Sequence, residues 1–120
     1  MANEVTVSAS VRFRKGKVNV ELPKAGLQFD VAGSKFVNRV QTIGTSEEAI
    51  GLGDVGTVGW FIGVNNDKTN YLEIRPNTGV ADLIRMEPGE PALFRLAQDA
   101  VPYAIANTAA CDLEYVLIED

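Results

Sequence analysis

The chain has 120 residues, of which 46% are hydrophobic and 22% charged, enough apolar material for the core of one domain. Its net charge of −5 argues against nucleic acid or an acidic membrane surface as a partner of the whole surface. Histidine is absent and Cys111 is the single cysteine, which excludes an intramolecular disulfide, Cys–His and Ser–His–Asp catalytic groups, and histidine or multi-cysteine metal sites within one chain. We interpret Cys111, which lies among small residues, as a buried structural thiol.

The beginning of the chain, MANEVTVSAS, lacks an apolar segment, and no apolar run approaches about 20 residues. We therefore expect no signal peptide, no membrane span, and synthesis in a cytoplasm. Charge is uneven, since residues 1–40 hold seven basic and three acidic residues, whereas residues 41–120 hold four and thirteen. These charges either cover solvated faces or mark a basic arm that meets an acidic neighbouring molecule, as in self-assembly.

Residues 4–14 alternate strictly between apolar and polar side chains, which predicts a strand with one wet face. Lys15-Gly16 predicts a turn, and residues 18–22 alternate again, so the first 22 residues are interpreted as a β-hairpin. Pro23 is expected to end it, because proline cannot donate to a strand ladder. Residues 27–31 predict a third strand.

Lys35 to Ile43 predicts a fourth strand after a turn at Gly33-Ser34. Four glycines in residues 44–56 leave no room for a long helix, so we expect a loop there with a turn or a short strand at Ala49 to Leu52.

Residues 57–76 contain two apolar runs separated by the polar loop Asn65–Asn70. We interpret them as the central hairpin of the molecule, with the first strand apolar on both faces and Trp60 as a core or interface anchor.

Four further segments complete the pattern, with turns at Pro76–Gly79 and Glu87–Glu90. The predicted strands are Val80 to Met86, Pro91 to Leu96, Tyr103 to Ala106 and Asp112 to Ile118. Eight to ten short strands at roughly ten-residue spacing, without a helical period, predict an all-β fold: a single-domain antiparallel β-sandwich or a closed barrel over residues 1–120.

Two groups of side chains are candidates for chemistry. The doublet Glu47-Glu48 could act as a glycosidase pair, although adjacent residues usually point apart. The glycine-rich segment 51–56 could bind phosphate, but it lacks the long helix and the Lys-Ser/Thr of a phosphate-binding loop. With no histidine for proton transfer, we expect no enzymatic activity and no cofactor.

A second group could bind a ligand or a subunit. Oxygen atoms of Asn65, Asn66, Asp67 and Asn70 could hold Ca²⁺, although such loops are more often turns that bond their own backbone, which we favour. Aromatic residues at strand spacing could form a sugar platform, or serve as core and interface anchors: Trp60, Tyr71, Tyr103 and Tyr115. The combined interface or ligand platform is Trp60, Asn65, Asn66, Asp67, Asn70 and Tyr71. The alanine-rich residues 97–110 either approach a neighbouring subunit or pack as tight loops.

Several phrases of the sequence resemble small β-sandwich structural proteins of tailed bacteriophages. They are TIGTSEEA at 42–49, GWF at 59–61, NNDKTNYLEI at 65–74, MEPGE at 86–90, FRL at 94–96 and LEYVLIED at 113–120. The resemblance covers roughly residues 40–120, and the first 40 residues carry none of it. It supplies no ligand-binding residues.

This resemblance implies a jelly-roll-like virion component, made in the host cytoplasm. The expected role is that of a capsid decoration or minor capsid protein that stabilises the particle through self-association and contacts with the major capsid protein or another virion protein. A homo-oligomer is expected, and a trimer would fit a capsid threefold axis. The alternatives are a tail or baseplate component and a carbohydrate- or receptor-binding β-sandwich; neither nucleic acid nor a membrane is expected as a partner.

Overall fold

The computed structural model describes residues 3 to 120, which form ten strands and no helix. The strands are β1 (Val5–Lys15), β2 (Val18–Phe29), β3 (Phe36–Ile43), β4 (Glu48–Ala49), β5 (Val58–Asn65), β6 (Leu72–Arg75), β7 (Ile84–Met86), β8 (Pro91–Arg95), β9 (Tyr103–Ala106) and β10 (Cys111–Glu119). All pairings are antiparallel. The predicted all-β antiparallel fold and the predicted number of strands are confirmed.

Internal contacts divide the chain between Ala32 and Gly33 into two compact units. The first contains β1 and β2, and the second contains the other eight strands. The interpretation of residues 1–120 as one domain stays a prediction.

The first unit is a two-stranded hairpin, as predicted, but β2 is longer than expected. Gly16 takes φ of 57° in the two-residue turn with Lys17, a conformation that suits a tight hairpin turn. Pro23 does not end β2, because it pairs with Ser10 and the strand continues to Phe29. In a two-stranded sheet each strand has a free edge, where a missing N–H costs no ladder bond.

A β-bulge in β2 explains why the predicted third strand is the end of the second. Val7 pairs with Leu27 but Ala9 pairs with Lys24, so β2 holds one residue more than β1 over this stretch. Gly26, at φ of 68°, donates its N–H to the Ser8 hydroxyl over 3.0 Å. The extra residue restores the alternation, so that the apolar side chains before and after the bulge share one face.

The second unit is a β-sandwich of two four-stranded sheets. Their strand orders are β3-β10-β5-β8 and β4-β9-β6-β7. Four pairs nest inside one another: β3 with β10, β4 with β9, β5 with β8, and β6 with β7. A chain folded back on itself once and then rolled up gives this order, which is that of a jelly roll.

The core lies between the inner faces of these two sheets. The Phe61 ring stacks on Phe94 and Tyr115 with centroid distances of 4.8 Å and 5.8 Å. Leu113 and Leu117 of β10 are fully buried beside them. Cys111 is also fully buried, which confirms the interpretation of its thiol.

The predicted central hairpin at 57–76 is wrong, although both of its strands exist. β5 pairs with β10 and β8, whereas β6 pairs with β7 and β9, so the connecting loop crosses from one sheet to the other. The core aromatic of β5 is Phe61, which is buried, whereas Trp60 on the opposite face is partly exposed. The predicted strand Val80–Met86 shortens to β7. Where a turn or a short strand was expected at Ala49–Leu52, the structure has β4, which shares only Ala49 with that range.

Candidate functional site

The structure places the two predicted platform aromatics apart. Trp60 lies near the start of β5 and Asn65 at its end, a separation of about 17 Å along the strand. Trp60 pairs with Arg95, whose guanidinium lies 6.0 Å from its ring centroid. Tyr71 precedes β6 in the other sheet, and the Arg85 guanidinium lies 3.5 Å from its ring centroid. They therefore do not form one aromatic surface for a sugar.

The loop Asn65–Asn70 is a turn held by its own hydrogen bonds, as we favoured. The Asp67 carboxylate accepts from the N–H groups of Asn70 and Thr69 over 2.6 Å and 3.0 Å. These bonds, that of Asn70 first, hold the pKa of Asp67 below its usual range. Among residues 3–120, no three His, Cys, Asp or Glu side chains are grouped so that they could hold a metal ion.

Asn65 has a structural position that its polar surroundings in the sequence did not indicate. It is fully buried, and its amide donates to the carbonyls of Asn70 and Met86 over 3.0 Å each. Its side-chain oxygen accepts from the Asp67 N–H, and its backbone carbonyl accepts from Gly89. Asn65 thus ties the end of β5 to the loop after it and to the turn between β7 and β8.

The carboxylates of the Glu47-Glu48 doublet bind different parts of the chain. Glu47 pairs with Arg75 over 2.6 Å and accepts hydrogen bonds from the turn at residues 78–79. Glu48 accepts from the Gly44 N–H and the Gln41 amide over 2.9 Å and 3.1 Å. These contacts hold the loop around β4, and they do not form the facing pair that glycoside hydrolysis requires.

The glycine-rich segment is bonded in the same way. The Gly51 N–H donates to Gln41, its carbonyl accepts from the Tyr115 hydroxyl, and the Gly56 N–H donates to Glu119. Two of its amides thus already donate to side chains of the second unit, which argues against a phosphate cradle.

One cavity of about 250 Å³ opens beside β6, β7 and β8. Its walls are largely apolar and include Leu83 and Phe94. The guanidinium groups of Arg75 and Arg95 at its edge are paired with Asp82 over 2.8 Å and with Asp120 over 2.5 Å. The cavity could take an apolar group, but it presents no cluster of charged groups for chemistry.

The most unusual surface is on the first unit, and the sequence prediction did not identify it. We call it the arm face: the side of the β1–β2 hairpin that carries Val11, Phe13, Val18, Val20, Leu22 and Leu27. Each of these residues is between 42% and 71% exposed. Soluble monomers rarely leave apolar patches larger than a few hundred Å² open, and such patches mark interaction sites.

The hairpin is also basic. Residues 3–32 hold five basic and three acidic residues, whereas residues 33–120 hold six and thirteen. Lys24 pairs with Ala9 and therefore lies on the arm face, between Leu22 and Leu27. Arg12 lies on the opposite, polar face. Lys15 pairs with Val18 and lies on the same face at the hairpin tip, so the arm face is an apolar strip with one positive charge within it and one at its end.

A second apolar surface belongs to the jelly roll. We call it the sheet face: the outer side of β3-β10-β5-β8, where Val116 and Ile62 pair in one row and Val40, Glu114 and Val64 pair in the next. Val40 is 55% and Ile62 47% exposed. A depression of about 230 Å³ lies on this face beside Glu114.

Searches against protein-family models, curated proteins and solved structures find no match to this chain. Residues 3–120 also contain no helix that could cross a membrane. The functional site must therefore be inferred from the geometry of the chain alone. Among the surfaces described above, the arm face is the strongest candidate.

Proposed function

We propose that this protein is a non-enzymatic structural protein that works by associating with other protein subunits. The observation that carries the proposal is the exposed apolar arm face. A two-stranded hairpin is at best marginally stable alone in water and gains independent stability from a further layer that covers its apolar side. Association with another subunit supplies that layer.

The chemistry-bearing side chains support the same conclusion. The carboxylates of Glu47, Asp67, Glu119 and Asp120 each accept hydrogen bonds from the second unit itself. Those bonds lower the pKa of each carboxyl, so these groups stay ionised and are poor proton donors near neutral pH. Carboxylates that are hydrogen-bonded and ionised in this way stabilise the fold and are not suited to acid catalysis.

The setting we propose is the virion of a tailed bacteriophage, with the protein as a capsid decoration or minor capsid subunit made in the host cytoplasm. Support comes from the resemblance of residues 40–120 to small β-sandwich virion proteins, together with the jelly-roll strand order of the same residues. The proposed partners are the major capsid protein or another virion protein and further copies of this chain, with a trimer as one form.

Mass spectrometry of purified phage particles tests this setting, with head and tail fractions analysed separately. We expect the chain in the head fraction at many copies per particle. Its presence only in tails would assign it to the tail or baseplate, and its absence from particles would contradict a virion role.

Cosedimentation of the purified chain with particles that lack it tests association directly. A Val20→Asp variant, which places a charge in the arm face, should bind more weakly than Thr6→Asp, a change on the polar face of the same hairpin.

A further inference from the structure

We infer that the arm face of one copy docks on the sheet face of a second copy, with Lys24 of the first opposite Glu114 of the second. This inference rests on the self-association in the proposed function and names the surface that receives the arm. The other potential occupants of the sheet face, a different virion protein above all, are outcomes of the tests below.

The charges of the two surfaces are complementary. Residues 3–32 carry a net charge of +2 and residues 33–120 a net charge of −7, counted from the same sequence. Two arm faces packed on each other would bring Lys24 of one copy toward the equally basic arm of the other. Packing on the sheet face instead brings the basic arm to the acidic unit of another copy, which favours this pairing and its orientation.

The patterns within the two surfaces also match. On the arm face, Lys24 stands within a strip of aliphatic side chains. On the sheet face, Glu114 stands between Val40 and Val64 in the adjacent strands. Its carboxylate accepts one hydrogen bond, from the Asn66 amide over 3.0 Å, which leaves acceptor capacity for an ammonium group.

The dimensions permit sheet-on-sheet packing. The arm face from Val18 to Leu27 covers ten residues of β2, about 30 Å, and the strands of the sheet face, with eight residues in β3 and nine in β10, span about 27–30 Å. Two sheets that pack face to face interdigitate their side chains at about 10 Å separation. The depression beside Ile62 and Glu114 offers room for the arm side chain next to Lys24, Leu22.

The contact joins two different surfaces, so it is heterologous. Such contacts close into a ring when the rotation between copies permits it, and otherwise build filaments. Each copy would place its arm face on the sheet face of one neighbour and receive the arm face of another. In a closed ring every arm face would therefore be covered.

Crosslinking between introduced, exposed cysteines tests which surfaces meet. A Val20→Cys chain and an Ile62→Cys chain of different mass are mixed and treated with a short bismaleimide; wild type is the control, because Cys111 is fully buried. We expect mixed dimers of the two variants. Dimers formed mainly by Val20→Cys alone would mean that arms pack on arms, and the inference would be wrong.

Substitution on the sheet face tests the same contact by mass in solution. Light scattering should show that Ile62→Asp dissociates about tenfold or more readily than wild type. Leu83→Asp is the matched control, because Leu83 is 73% exposed but lies on neither surface, and it should keep the wild-type mass. Equal dissociation of both variants would overturn the inference.

Charge reversal tests the Lys24–Glu114 pair. Lys24→Glu and Glu114→Lys should each weaken association about tenfold, and the double variant should recover most of it. If either residue only stabilised its own subunit, the double variant would not recover association. A double variant weaker than both single variants would contradict the pairing.

The inference and the proposed function fail in different ways. If Ile62→Asp keeps the oligomer while Val20→Asp loses it, association by the arm stands and the sheet face is the wrong receiver. If the wild-type chain is monomeric at all concentrations, the inference is overturned, while cosedimentation with particles still decides whether the protein binds a virion.

Discussion

The two units of this chain contain the same kind of alternating strand but cover its apolar side differently. Leu113 of β10 is fully buried, whereas Leu22 of β2 is 65% exposed. In both strands successive side chains point to opposite faces, and each of these leucines lies in a row of apolar side chains on one face. The difference is that the jelly roll has a second sheet to receive Leu113, whereas the hairpin has two strands and no second layer of its own.

This difference shows what alternation does and does not specify. It assigns side chains to one face of a strand, because the side-chain period is two. It does not state whether the same chain covers that face. An uncovered face with a clean alternation is therefore a reason to look for a second molecule.

The largest expected effect contrasts Leu113→Ala with Leu22→Ala. Leu113→Ala removes buried methyl groups from the core and should lower the free energy of unfolding by about 2–5 kcal/mol. Leu22→Ala should change it by no more than about 0.5 kcal/mol in dilute protein, because its side chain is exposed there. Urea unfolding at micromolar concentration measures both. A large effect of Leu22→Ala under those conditions would mean that the chain itself covers the arm face.

A second, smaller effect tests the polar tie inside the jelly roll. Asn65→Ala removes both amide bonds to the Asn70 and Met86 carbonyls and leaves buried groups unsatisfied, which should cost about 2–3 kcal/mol. Asn66→Ala is the control, since Asn66 is exposed and bonds Glu114 at the surface; it should cost less than about 1 kcal/mol. Thermal unfolding, monitored by circular dichroism, shows whether Asn65→Ala is the more destabilising of the two substitutions. Equal losses would contradict the role given to Asn65.

The strands and turns that sequence predicts well are those fixed by neighbouring residues. Tyr103–Ala106 has its predicted bounds, and Lys35–Ile43 differs by one residue. The turn at Glu87–Glu90 forms as expected, with Gly89 at φ of 81°. Alternation, proline and glycine act locally, so their effects can be interpreted without knowing the rest of the fold.

The sequence predictions are wrong where residues far apart in the sequence determine the structure. The loop after β5 has the composition of a hairpin turn, yet it crosses between sheets because β5 and β6 each find partners elsewhere in the sequence. Asn65 sits in a polar run, and its burial depends on the Met86 carbonyl, 21 residues away. The arm face was missed because the exposure of alternating apolar residues depends on the absence of a covering layer, which no local pattern encodes.

Acid should lower the stability of the jelly roll, because the folded state of the second unit stabilises the ionised form of carboxylates such as Glu119. Hydrogen bonds from the N–H groups of Gly56, Lys35 and Ser34 to Glu119, that of Gly56 first, lower the pKa of its carboxyl below the ordinary 4.5. A group whose folded pKa is depressed stabilises the fold fully above its unfolded pKa, and this contribution is lost as the pH falls through the folded pKa.

Urea unfolding of wild type and Glu119→Gln at pH 7 and pH 3 measures this contribution. We expect wild type to be the more stable at pH 7 and the gap to narrow at pH 3. Glu21→Gln on the hairpin is the control and should show no comparable gap at either pH. A gap for Glu119→Gln that is as large at pH 3 as at pH 7 would mean that its ionisation is not what stabilises the fold.

The smallest expected effect is that of replacing a turn glycine by alanine. Comparing one such glycine in each unit tests whether the two units unfold separately. Gly16 in the hairpin turn and Gly89 in the turn after β7 both have positive φ, and an added Cβ would meet no atom within 4 Å of either. Replacement by alanine therefore imposes the same backbone strain, about 1 kcal/mol, in two different places.

If the hairpin opens on its own, Gly16→Ala should leave the global unfolding midpoint unchanged and speed amide exchange in β1 and β2 about fivefold. Gly89→Ala should instead lower the global free energy of unfolding by about 1 kcal/mol, because its turn belongs to the jelly roll. Equal global shifts would show that the hairpin unfolds together with the sandwich. Since the hairpin lacks a covering layer, local opening is the expected result in dilute protein, and association should slow that exchange as the protein concentration rises.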